Sequence, residues 1–111
     1  MRVATTTNER AVDISLRWTP GVLILDGPMN RGVGPEALQV AADALGSADG
    51  VLIADCGGIT KVDDRGVAFL MAMAGFANDR GVRIRLVDVP RTLRARLRRA
   101  NIEALFEWER P

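Results

Sequence analysis

VLIADCGGITKVDDRGVAFLMAMAGFAND, residues 51–79, decides the fold. Its first four residues, Val51, Leu52, Ile53 and Ala54, form an uninterrupted apolar run of the length that a buried strand takes. Asp55 and the glycines after it break the run, and residues 55–64 read as a loop. From about residue 65 to residue 79 the pattern turns helical. Between Gly66 and Ala77 no side chain is charged or hydrogen-bonding, so this helix is apolar all round. Val67, Leu70, Met71 and Ala74 make one stripe. Phe69, Met73 and Phe76, at i, i+4 and i+7, make a second on roughly the opposite side.

Upstream, Ile14, Leu16 and Trp18 alternate with Ser15 and Arg17, the period-two pattern of a strand with one wet face. Thr19, Pro20 and Gly21 turn the chain into the apolar run 22–25, so a β-hairpin opens the fold. Residues 27–34 read as a glycine-rich loop. Pro35, which needs no N–H as a first helical residue, and Glu36 in the first turn start a helix. Leu38, Ala41, Ala42 and Leu45 follow at i, i+3, i+4 and i+7, and Gly46 stops it. Downstream, Val82, Ile84 and Leu86 alternate with Arg83 and Arg85 as a further strand. Pro90 opens a last helix with Leu93, Leu97 and Ala100 on one face, and the tail carries Leu105, Phe106 and Trp108. Residues 1–12, polar and without periodicity, are expected to form a flexible N-terminal arm ahead of a single domain, residues 13–111. Strands alternating with helices after a hairpin predict an α/β domain. Its mixed sheet has four to five strands, the parallel connections are right-handed, and helices pack on it.

The 111 residues suffice for one core. There is no histidine, no tyrosine and a single cysteine. That removes imidazole bases and ligands, zinc clusters and an internal disulfide, and with them most enzyme chemistry. No metal or cofactor is expected. No apolar segment reaches the roughly 20 residues of a membrane-spanning helix. The opening MRVATTTNER also lacks the apolar core of a secretion signal, so the expected place is the cytoplasm, without membrane insertion. The net charge of +1 hides an uneven spread: residues 80–99 hold eight basic side chains and one acidic. All but one of the fifteen cations are arginine, whose donor fork suits carboxylates or phosphates across an interface.

Three constellations invite a catalytic or binding reading. Cys56, past a strand end and before two glycines, occupies the place of a phosphatase nucleophile. Such a loop needs an arginine six positions on, however, and that position is Val62, so Cys56 reads as a small buried apolar residue. Asp26 and Asp55 end apolar strands like the acidic cluster of a phosphoacceptor receiver, but the only lysine, Lys61, is misplaced for that role. The Phe69/Met73/Phe76 stripe reads as an interface with another protein or with a second copy in a homodimer. The alternative is a cover formed by the C-terminal segment with Phe106 and Trp108. Arg91, Arg94, Arg96, Arg98 and Arg99 read as a solvated helix surface or a dock for an acidic protein. Without interleaved aromatics or a reading motif, nucleic acid is not expected as a partner.

DCGGITKVDDRG, residues 55–66, resembles the signature of STAS domains, the family of anti-sigma factor antagonists. Its pattern is approximately D-L-S-G-V-x-x-I-D-S-S-G followed by a leucine-rich helix. Asp55, Gly58, Ile59, Val62, Asp63 and Gly66 match in register. The likeness extends to Leu25, Gly27, Met29 and residues 35–38 upstream, and to VRIRLVDVP and LRRANIEALFE downstream, covering about residues 13–108. The resemblance implies a STAS-like fold and a bacterial partner-switching relay in transcription regulation. In it, the unphosphorylated antagonist binds an anti-sigma factor that is also a serine kinase, and phosphorylation of the first serine of D-S-S-G breaks the complex. Here that position is Asp64, followed by Arg65. Asp64 carries one fixed negative charge where phosphoserine carries about −1.5 to −2, which makes it a partial phosphomimetic, or simply a helix cap alongside Asp63. The implied product is a non-enzymatic protein–protein interaction module docking through Asn30, Lys61, Asp63, Asp64, Arg65, Phe69, Met73 and Phe76. One alternative is a fixed STAS subunit of a transport or signalling complex. The other is a small phosphate-handling enzyme using Asp55 or Cys56.

Overall fold

The computed structural model describes residues 4–6, 14–30 and 34–108. In chain order the elements are β1 (Ala4–Thr6), β2 (Ser15–Thr19), β3 (Val22–Met29), α1 (Pro35–Ser47), β4 (Val51–Val62), α2 (Asp64–Asp79), β5 (Arg83–Val87), α3 (Arg91–Arg99) and β6 (Glu107–Trp108). A 3-10 turn, Glu103–Leu105, precedes β6. The strands form one sheet in the order β1-β2-β3-β4-β5-β6. β1, β2 and β3 pair antiparallel, and β3 to β6 pair in parallel. The mixed α/β sheet opened by a hairpin is as expected, with short strands added at both edges. One of these, Ala4–Thr6, falls within the segment expected to be an arm; the rest of residues 1–12 lies outside the described residues.

The register sorts the side chains into two faces. Leu16, Leu25 and Leu23 lie level with Ala54, Leu86, Leu52 and Ile84, and all are buried in one cluster with the buried residues of α1, α2 and α3. The opposite face carries half-buried Val22, Ile24, Val51, Ile53 and Val87, flanked by exposed Arg17, Arg83 and Arg85. Arg17 is held by Asp26 at 2.9 Å, and Arg83 and Arg85 by Glu107 at 3.0 and 3.1 Å. The molecule is thus two layers, helices on one side of a sheet.

Two expectations need correction. Residues 27–29 and 55–62, read as loops, continue β3 and β4, and their pairing runs to Met29 opposite Val62. Glycines and aspartates broke the apolar run, but two register shifts let the ladder absorb them. The second concerns α2. Phe69 (3% exposed) and Met73 (fully buried) belong to the core, and Phe76 is half-buried against it. Two of the three residues of the predicted interface stripe are therefore sealed inside the monomer. Apart from exposed Met71, the two stripes are the edges of one broad buried arc, joined through Gly66, Leu70 and Ala77. Exposed Ala68, Met71 and Gly75 occupy the outer side. The cover of α2 comes from α1 and from strands β3, β4 and β5. In α1 the buried face turns to Ala37, Ala41, Ala44 and Leu45, leaving Leu38 half-buried.

Candidate functional site

Strands β3 and β4 end side by side, and α2 begins where they end. Asp63 leaves β4 in an extended conformation, and its Oδ1 accepts from the backbone N–H of Arg65 at 2.9 Å and of Gly66 at 3.4 Å. Those are the orphan donors of a first helical turn, so Asp63 is the N-cap. Its own N–H donates to the Met29 carbonyl at 3.2 Å, which ties the start of α2 to the end of β3. Gly66 makes this closeness workable. A Cβ there would overlap the Met29 carbonyl oxygen and stand 2.8 Å from Met29 Cβ.

With Asp63 capping, Asp64 is the first helical residue and its side chain is fully exposed, at 102%. Asn30, Asp63, Asp64 and Arg65 line a depression of about 530 Å³ together with Arg96 from α3. Arg96 Nη1 donates to Asp64 Oδ1 at 3.2 Å. Asn30 Oδ1 is buried and has no hydrogen-bond partner among the described residues. Lys61, two residues above Asp63 on β4, is exposed but does not line the depression. The structure thus brings together four of the sequence-expected residues, places Lys61 nearby, and withdraws Phe69 and Met73. In the sequence Arg96 is one of five arginines on the last helix, with nothing to set it apart. Nothing in chain spacing indicates which turn of α3 meets a residue 32 positions earlier.

The side chains of the other constellations are held in local contacts. Cys56 is buried, and its thiol is pushed up to about 12, first by burial and then by the negative charges of Asp55 and Asp88. A nucleophilic thiol needs the opposite environment. Asp55 Oδ1 accepts from Gly57 N–H at 2.9 Å, and Asp26 pairs with Arg17. Gly58 lies against Asp26, where any Cβ would collide with that carboxylate. Among the described residues no group of three His, Cys, Asp or Glu could hold a metal ion, and no helix is long and apolar enough to cross a membrane.

The sequence profile described as "Mlab, STAS domain" matches residues 12–107. The chain belongs to the STAS domain family. Among solved structures, this STAS domain resembles the anti-sigma factor antagonist SpoIIAA in its unphosphorylated form, with a TM-score of 0.66 and 13% identity, covering 87% of this chain and 88% of that one. It also resembles an anti-sigma factor antagonist from Mycobacterium paratuberculosis, with a TM-score of 0.63 and 12% identity, covering 99% and 87%. At these identities the likeness is one of fold. No curated protein matches the sequence.

Proposed function

We propose that this STAS domain is a non-enzymatic, cytoplasmic interaction module of the anti-sigma factor antagonist type. It binds an anti-sigma factor or serine kinase-type partner through the start of α2, with Asp64 in place of the regulatory serine. The observation that carries this reading is the cap. Asp63 takes up the first N–H groups of α2, so residue 64 stands fully exposed at the rim of a polar depression, on the side chain positions a partner can reach. The STAS profile over residues 12–107 and the fold shared with two anti-sigma factor antagonists support the coarser part of this reading, a STAS interaction domain. A serine-type phosphoester cannot form at residue 64, because its side chain is a carboxylate and not a hydroxyl.

The experiment is capture of candidate anti-sigma kinases by the wild-type domain and by Asp64→Ser. Binding by either, with phosphate incorporated only into Asp64→Ser, is the expected result. No capture by either variant counts against the reading. A second reading, a fixed subunit of a transport or signalling complex, is favoured by one observation. Met71 (48%) and Leu105 (53%) are the exposed large apolar side chains of the described residues, and both border a groove of about 640 Å³ between α2 and residues 104–107. A permanent partner seated there would make the domain self-associate or precipitate when purified alone.

A further inference from the structure

The charges around Asp64 are not those of a negative switch. Asp63 is committed to the α2 backbone, and Asp64 to Arg96. Among the described residues, Lys61, Arg65, Arg91 and Arg99 are exposed and have no carboxylate within ion-pair distance. Arg65 lines the depression beside Arg96, and Arg99 follows Arg96 one turn later on α3. Both carboxylates of the site have a partner, while Arg65 at its rim has none among the described residues.

Resting on the docking reading above, we infer that the surface of Arg65, Arg96 and Arg99 accepts an acidic protein surface, and that the Asp64–Arg96 pair sets how strongly. A protein can place single carboxylates against Arg65 and Arg99. Duplex DNA fits less well. Its phosphates recur about every 1.7 Å of axis, carry no donor, and would meet Asp63 and Asp64 in the middle of the cations.

The test is fluorescence anisotropy of the whole domain with a labelled acidic peptide built from Glu, Ala and Leu, beside a duplex DNA of matched charge. The peptide is expected to bind more tightly than the DNA and to weaken as salt rises. Arg65→Glu and Arg99→Glu should each weaken it by about tenfold, Asp64→Ala should tighten it by freeing Arg96, and Arg83→Glu on the open sheet face should leave it unchanged. Circular dichroism confirms that each variant is folded. Absence of peptide binding, preference for DNA, or equal loss with Arg83→Glu overturns the inference. The same variants separate it from the docking reading. An anti-sigma kinase that binds and is tightened by Arg65→Glu keeps that reading and overturns this one. Peptide binding at this surface with no kinase captured supports this one and removes the other.

Discussion

At the scale of single residues, Asp63 does two things at once. Its carboxylate closes the first turn of α2, and its backbone holds that turn to Met29. Asp63→Ala should cost about 1 kcal/mol, the usual value of an N-cap, read as a lower urea midpoint with unchanged slope. Gly66→Ala pushes a methyl group into Met29 and should cost about 1–3 kcal/mol, the range for overpacking, in the same assay. Cys56 gives a pH dependence of known sign. Its folded thiol, raised to about 12, keeps its proton where the unfolded thiol, near 9, loses it. Stability is therefore full below pH 9 and falls between pH 9 and 12, by up to about 1.4 kcal/mol per pH unit. With no tyrosine and one lysine, few other groups titrate there. Chemical denaturation across that range should show the decline in the wild type and a flatter profile in Cys56→Ala.

At the scale of elements, α2 shows what periodicity reveals and where it stops. Its span was legible to within a residue, because the run from Gly66 to Ala77 has no competing signal. Its orientation was not. Stripes whose axes differ by less than half a turn can be two faces or two edges of one arc, and only the packing of α1 and the sheet decides. Met73→Ala should cost about 2–5 kcal/mol as a core truncation, whereas Met71→Ala should stay within about 0.5 kcal/mol; thermal melts of the two variants check this. The strand ends of β3 and β4 were hidden for a different reason. Gly57, Gly58 and Asp55 carry loop propensities, and only the neighbouring strand turns those residues into a ladder.

At the scale of the molecule, placing the helices on one face leaves the start of α2 at the carboxyl ends of β3 and β4, with α3 alongside. Family likeness made Asp63 and Asp64 legible in the sequence, and Asn30 and Arg65 with them. Arg96 was not legible, since the contact that matters depends on how α3 docks. The opposite sheet face, with Val22, Ile24 and Ile53 among paired arginines, provides an internal reference for any binding measurement. The most direct measurement is amide hydrogen exchange of the domain alone and mixed with an anti-sigma kinase. Slower exchange over residues 61–70, with residues 22–25 and 83–87 unchanged, is the result expected of docking at the start of α2. Protection confined to the strands of the open face, or none around Asp64 in a complex that forms, would contradict it.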